Sequence, residues 1–373
     1  MYKRLTVLAL AATLCAAAPS AQAFKPSAKE RAQGEYSIVI LGDTHFDTEP
    51  ASVYHSDYNE SVEWLNRVQR AEFARNGQMW RERCPRMVQR AASLVDPSTR
   101  MVFQMGDLIQ GDCGNPEVHK KMLGDVMDNF KSTLGGLPFL TVCGNHDIRG
   151  TKAGDAYNEF MTERMSGELG KKITKTTFAF TIGPDAYIFI DFSRRDLDEI
   201  EKLLRQTEGA RYTFIVSHGP VFPYDANSCR WFLFGKPKYD AQRRHLRELF
   251  AKRDAIVLCG HTHRIEFADW LGDGGRITQM TMNSVWSSDE LKNLTVDARG
   301  TASYGELRKG GRNDDGTPVK DESAIFDEYR PGLKSYMTAR GAGSFRMSVS
   351  DHAVVIDFYG GDSPAVTESF VIR

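Results

Sequence analysis

The chain has 373 residues, enough for one large catalytic unit or two small ones. With 41 % hydrophobic and 26 % charged residues it has the make-up of an ordinary globular protein, which excludes a disordered chain or a coiled coil. Without Lys3 and Arg4, which belong to an N-terminal leader, 46 basic residues face 49 acidic ones, a formal charge of −3 that offers no electrostatic footprint for duplex nucleic acid.

Residues 1–23 read as a signal peptide. Lys3 and Arg4 form a basic start, and the apolar run from Leu5 to Ala18 is too short to span a bilayer comfortably. Ala21-Gln22-Ala23 supplies the small-x-small cleavage pattern, so the mature chain is expected to begin near Phe24. Leu14 before Cys15 argues against a lipid-modified cysteine. No later apolar stretch is long enough to cross a membrane, so the expected product is periplasmic or secreted. Five cysteines remain: Cys84, Cys113, Cys143, Cys229 and Cys259. Cys143 and Cys259 sit in apolar runs and read as buried thiols. Cys84, Cys113 and Cys229 sit in polar or Gly/Pro-rich stretches, where export permits one bridge. With no CxxC pair, a sulfur-ligated zinc site is not expected.

Along the chain, short β-rich runs end repeatedly in polar turns that contain glycine. Residues 37–41 run into Gly42-Asp43-Thr44-His45, 101–105 into Gly106-Asp107, and 138–143 into Gly144-Asn145-His146-Asp147. Further on, 212–216 run into Ser217-His218-Gly219-Pro220, and 255–259 into Gly260-His261-Thr262-His263. Runs this continuously apolar predict strands buried on both faces. Helical spacing marks 56–94, 117–134, 155–168, 195–207 and 238–252. Alternating strand and helix predicts an α/β architecture. Hairpin-like stretches at 177–192 and 343–359 favour mixed over purely parallel sheets. A single domain over 24–373 is expected, with insertions near 47–95 and 287–335, the latter polar and rich in Gly, Asp and Lys.

The polar residues of interest fall at the carboxyl ends of these strands, where α/β sheets bind ligands. They are Asp43, His45, Asp107, Asn145, His146, His218, His261 and His263; five of the nine histidines lie in these turns. A lone histidine at a strand end is usually a satisfied structural residue, and Asp after Gly a turn former. Five such turns, each following an apolar run, point instead to one site. Imidazole and carboxylate without thiolate suit zinc, iron, manganese, cobalt or nickel, whereas calcium wants more oxygens. In an extended segment residues i and i+2 point the same way, so Asp43 with His45, and His261 with His263, are each expected to reach one centre. Such a set is too large for one ion and suits two if a carboxylate bridges.

The ordered blocks Asp43-x-His45, Gly106-Asp107, Gly144-Asn145-His146-Asp147, His218 and Gly260-His261-x-His263 resemble the calcineurin-like metallophosphoesterases over about residues 37–264. The resemblance implies a four-layer αββα sandwich of two mixed β-sheets flanked by helices. It implies that Asp43, His45, Asp107 and His263 hold one metal ion, and that Asp107, Asn145, His218 and His261 hold the other, with Asp107 bridging. It further implies two Mn, Fe or Zn ions and attack on a phosphate mono- or diester by the hydroxide they share. In this reading His146 is no ligand but bonds the phosphoryl group or protonates the leaving oxygen, with a purely structural part as the alternative.

Departures from the family pattern narrow the branch. Leu108-Ile109-Gln110 follows Asp107 where purple acid phosphatases carry a Tyr ligand. Gln110-Gly111-Asp112 replaces the end of the Gly-Asp-x-Val-Asp-Arg-Gly block of protein serine/threonine phosphatases, so the Asp that would orient His146 is missing there, with Asp147 or Asp112 as stand-ins. The chain is too short for the extra substrate domain of the secreted 5′-nucleotidases. Arg149, Arg230 and Arg264 follow the turns and could meet a phosphate oxygen, or be surface arginines in ion pairs. Phe222, Tyr224 and Trp231 could line an apolar pocket or pack in the core. The expectation is an exported phosphoesterase acting on a small phosphorylated substrate; the alternatives are an inactive phosphate- or metal-binding protein on the same scaffold and a metal hydrolase of another bond.

Overall fold

The computed structural model describes residues 34–48, 77–113, 115–224, 230–285, 288–307 and 323–373. The expected leader, the middle of the 47–95 insertion and Cys229 lie outside the described residues. Along the chain run β1 (Tyr36–Leu41), α1 (Gln78–Ala92), β2 (Thr99–Gln104), α2 (Pro116–Thr133), β3 (Phe139–Thr141), α3 (Ala153–Leu169) and the hairpin of β4 (Phe178–Ile182) and β5 (Asp185–Ile190). Next come α4 (Leu197–Gln206), β6 (Thr213–Ser217), α5 (Asp240–Lys252), β7 (Ile256–Cys259) and the hairpin of β8 (Ile265–Gly272) and β9 (Gly275–Thr281). They are followed by β10 (Thr295–Arg299), α6 (Ser323–Tyr329), β11 (Leu333–Arg340), β12 (Gly343–Val349), β13 (Val354–Gly360) and β14 (Glu368–Val371).

The strands form two mixed sheets, as expected: one of six in the order β14-β13-β12-β1-β2-β3 and one of eight in the order β10-β11-β8-β9-β7-β6-β5-β4. In the first, β1, β2 and β3 are parallel, with β12 added antiparallel to β1. In the second, β5, β6, β7 and β9 are parallel. Side chains alternate across a strand. Thus Tyr187, Phe189, Phe214, Val216, Ile256 and Leu258 join the core that includes β1, β2, β12 and β13. Their neighbours Ile188, Ile190, Ile215 and Val257 pack instead with Ile200, Leu203 and Leu204 of α4 and Leu246 and Phe250 of α5. Burial on both faces explains why the parallel strands read as unbroken apolar runs. α1 contacts β1 and β12, and α2 and α3 contact β3, on the six-stranded side.

Local chemistry starts the helices where the sequence places them. Asn115 accepts from Val118 N at 2.9 Å and Pro116 follows at the first position of α2. Asp196 accepts from Glu199 N at 3.0 Å and starts α4.

Three expectations become more specific. The insertion near 287–335 holds β10, paired antiparallel with β11, and α6. β10 is an edge strand with no buried residue, so it lacks an apolar signature. Cys84 and Cys113 are free and buried, as are Cys143 and Cys259, so no bridge joins Cys84 to Cys113. The described part of 47–95 is α1, a helix packed against the six-stranded sheet. Among the described residues no helix is long and apolar enough to cross a membrane.

Candidate metal centre

The turns that follow β1, β2, β3, β6 and β7 meet at one rim of the two sheets. Thr44 N and His45 N donate to Asp107 O at 3.1 and 2.9 Å, and Gly260 N donates to His218 O at 3.0 Å. Gln104, fully buried, ties three strand ends together: its Nε2 donates to Gly42 O and Gly106 O, and its Oε1 accepts from Thr141 Oγ1. On the other side Ser284 Oγ accepts from Gly42 N at 2.8 Å, and Asp43 bridges to Asn283.

The backbone at this rim is bent rather than extended. His45, Asp107, His261 and His263 have φ of 43°, 50°, 74° and 52°. Side-chain-bearing residues reach this left-handed region only at a cost of about 1–3 kcal/mol each, and such strain clusters at functional sites. The expected i, i+2 geometry is therefore replaced by turns, with a visible consequence: Asp43 and His45 share one cluster, but His261 and His263 divide between two. Two glycines are required by close approach. A Cβ on Gly144 would lie 2.2 Å from Asp107 Oδ1, and one on Gly260 would lie 2.1 Å from Asp43 Oδ1.

The seven expected ligand residues come together. Asp43, His45, Asp107 and His263 offer ligand atoms within 4.8 Å of one another, and so do Asp107, His218 and His261. Asn145 Oδ1 joins the second group at 3.2 Å from His218 Nε2. Asp107 belongs to both groups, 3.2 Å from His218 Nε2 and 3.7 Å from His45 Nε2. Asp43 Oδ2 is 3.2 Å from His263 Nε2. His263 is the most open of the set, its side chain 42 % exposed, so solvent reaches the cluster from its side.

Hydrogen bonds set the ring tautomers. His45 Nδ1 faces Gln110 Oε1 at 2.8 Å and His218 Nδ1 faces Met105 O at 2.8 Å, so each neutral ring carries its proton on Nδ1. The lone pair of Nε2 then points into the cluster, the arrangement that metal-ligating histidines share. His45 Nε2 lies only 2.9 Å from His263 Nε2, and His261 Nδ1 only 2.9 Å from His218 Nε2.

Charge tells the same story. Burial opposes a charged His218 ring, but Asp107 and Asp43 outweigh it and push its pKa up to about 9. His263 is raised because the hydrogen bond and charge of Asp43 outweigh the desolvation of the ring by its neighbours. Burial also opposes ionisation of Asp107, yet the His218 and His146 rings hold its carboxyl well below the usual range. Burial lowers His45 to about 4 and His261 to about 3. Two buried carboxylates thus recruit positive charge from imidazoles, and neutral His45 and His261 keep lone pairs free. This donor set fits two cations sharing Asp107.

His146 has a different place. Its backbone N donates to Asp107 Oδ1 at 2.7 Å, and its ring packs edge-on to His45 at 4.3 Å. Its Nδ1 pairs with Gln110 O at 3.0 Å, which corrects the expectation that Asp147 or Asp112 would orient it. Asp147 instead accepts from Gly144 N and Ile109 N and braces the turn. Of the three arginines, Arg264 is committed to Asp297 and Thr338, and Arg230 bonds Gly235 O. Arg149 is the one near the cluster, close enough to disfavour charge on His45 and His146. Phe222 and Tyr224 are buried. Trp231 is 55 % exposed and its ring centre lies 5.6 Å from that of His261. Gln104, Asn283 and Ser284 are not singled out by the sequence, and Gln110 only as a departure from the family pattern, because a lone amide or hydroxyl carries no spacing signal.

Residues 36–264 match the family described as calcineurin-like phosphoesterase. A structure of PhoD superposes with a TM-score of 0.50 at 11 % identity, covering 91 % of this chain and 69 % of PhoD. A dimetal phosphatase from Danio rerio superposes with the same score and identity, covering 91 % of this chain and 98 % of the other. At that identity the likeness speaks for the fold. No curated protein matches the chain in sequence.

Proposed function

The chain belongs to the calcineurin-like phosphoesterase family and is a metal-dependent phosphoesterase, and from that premise we propose that it is exported and hydrolyses a phosphate mono- or diester at the rim where the five turns meet. The observation that carries this reading is Asp107, shared by two adjoining groups of ligand atoms. We assign Asp43, His45, Asp107 and His263 to one ion, and Asp107, Asn145, His218 and His261 to the other. Imidazole and carboxylate donors suit manganese, iron or zinc. Bound there, two ions would supply Lewis-acid charge for the phosphoryl oxygens and an activated water as nucleophile.

The chain's own part is to hold and to move protons. Gln110 Oε1 and Met105 O hold a proton on Nδ1 of His45 and His218, so neutral His45 offers its Nε2 lone pair directly and His218 offers it once a bound cation displaces its second proton. Asp107 is kept ionised by the His218 and His146 rings. With Nδ1–H donated to Gln110 O, neutral His146 has Nε2 left for the substrate. To protonate the leaving oxygen the ring must first take a second proton at Nε2, which burial and the neighbouring His45 ring oppose and the charge of a bound phosphoryl group favours. Delivery of that proton would raise the rate about a hundredfold to ten-thousandfold. The apolar run and cleavage pattern of residues 1–23 support export.

The test is a panel of p-nitrophenyl phosphate, its bis ester and cyclic nucleotides with protein loaded with manganese, zinc or iron. Turnover with at least one metal is expected. Absence of turnover with every metal, while two ions per chain still bind, would favour the inactive binding protein. His146→Ala is expected to keep both ions and lose rate; loss of metal from it would mean that His146 is a ligand.

A further inference from the structure

One parallel strand of the eight-stranded sheet reaches the same rim without contributing a candidate ligand. β5 lies beside β6, whose end carries His218, and runs in the same direction. The chain leaves β5 in a tightly held turn: buried Asp191 accepts from Ser193 N at 2.8 Å, from Ser193 Oγ at 2.6 Å and from Arg194 N at 3.3 Å. The turn presses Phe192 against the metal centre, its ring centre 5.6 Å from that of His218 and 5.2 Å from that of His261. Even a Cβ on Gly219 would meet the Phe192 ring at 2.4 Å.

Beyond Phe192 sits Arg195. Its guanidinium carbon lies 5.5 Å from the centre of the Phe192 ring and 5.7 Å from that of Tyr239. Among the described residues no carboxylate pairs with it, and its buried Nε has no hydrogen-bond partner. Other buried or half-buried arginines here are spoken for: Arg211 by Asp185, Arg247 by Asp273 and Glu328, Arg264 by Asp297. The carboxylate next in sequence, Asp196, is engaged with Glu199 N at 3.0 Å and Lys175 Nζ at 3.5 Å. A cavity of about 570 Å³ opens beside Arg195, lined also by Ser193, Asp196, Asp198, Phe234, Tyr239 and Gln242. Lys238, outside that lining, places its Nζ 4.8 Å from the centre of the Tyr239 ring.

We propose that this cavity is a subsite for a second anionic group of the substrate, with Arg195 as the residue that selects it. The proposal rests on the phosphoesterase reading and narrows its substrate to compounds with a phosphate or carboxylate beyond the phosphoryl group that reacts, such as a nucleoside diphosphate. The physical reason is that a guanidinium laid on aromatic rings is fixed in orientation while its in-plane N–H donors stay unspent, and those donors match an anionic group in bidentate fashion. One aromatic ring separates it from the metal ligands, so it reaches the remainder of the substrate rather than the reacting phosphorus.

The test compares manganese-loaded wild type, Arg195→Ala and Arg195→Lys on adenosine diphosphate and p-nitrophenyl phosphate. The ratio of kcat/KM for the diphosphate to that for the aryl ester should fall about tenfold or more in Arg195→Ala, through KM, with part of the ratio kept in Arg195→Lys. Calorimetry on the same proteins should show that wild type prefers pyrophosphate to orthophosphate and that Arg195→Ala loses this preference. An unchanged ratio, or a fall of equal size on both substrates, overturns the proposal. If neither compound is hydrolysed, the hydrolase reading fails, while the pyrophosphate preference and its loss in Arg195→Ala still decide for or against the subsite.

Discussion

Both ends of the parallel strands bury carboxylates, but they neutralise them in opposite ways. At the amino end, Asp185 is fully buried and gripped by Arg211, with Nε to Oδ1 at 2.9 Å and Nη2 to Oδ2 at 2.6 Å. Tyr36 Oη donates to it at 2.8 Å and Tyr212 N at 3.2 Å. At the carboxyl end, Asp43 and Asp107 are as deeply buried and have imidazoles for neighbours instead of a guanidinium. A buried charge needs a countercharge. Where the chain supplies one of its own, the carboxylate is architecture. Where it supplies titratable rings with free lone pairs, the countercharge is expected from outside.

Substitution at each end should separate these roles. Asp107→Asn should have the largest effect, a loss of about a thousandfold or more in kcat/KM. Elemental analysis should find fewer than two ions per chain. Asp185→Asn should leave metal content and turnover alone and cost about 3 kcal/mol of stability, read as a lower denaturant midpoint. Loss of metal from that variant would erase the distinction between the two ends. Gln110→Ala removes the acceptor that sets the His45 tautomer and should weaken metal affinity about ten- to a hundredfold, measured by chelator competition.

The smallest effect is one of pH. Burial holds His119 at a pKa of about 4, with its Nε2–H donated to Asp147 O at 2.8 Å. An unfolded chain takes up that proton first, so this contribution to stability is present above pH of about 6.5 and is lost as the pH falls toward the folded value. His119→Gln, which keeps a donor for Asp147, should flatten the fall by about 1 kcal/mol per pH unit in urea titrations between those limits. An unaltered slope would assign the acid sensitivity to the other buried histidines.

Much of the fold and of the site is legible in the residues alone, and the exceptions have physical causes. β1, β2, β3, β6 and β7 announce themselves because strands buried on both faces must be apolar throughout. The β8–β9 hairpin is absent from the expected elements although Asp273-Gly274, with φ of 51° and 84°, is a strong two-residue turn signal. β10 and β14 are edge strands with few buried residues, so polar composition masks them. Arg149, Arg195, Arg230 and Arg264 look alike in sequence. The fold commits Arg264 to Asp297 and leaves Arg195 on two aromatic rings.

By itself the sequence determined the strand–turn rhythm, the kinds of ligand atom and the turns that carry them, because these depend on residues adjacent in the chain. Tertiary structure decided which of those atoms cluster, which ring nitrogen is free, how His146 is oriented and which arginine rests on aromatic rings. Each depends on partners far apart in sequence, as with His45 and His263, 218 positions apart yet 2.9 Å apart in space. Only the packing of two sheets, with strain accepted at four left-handed residues, brings such partners within reach of one pair of cations.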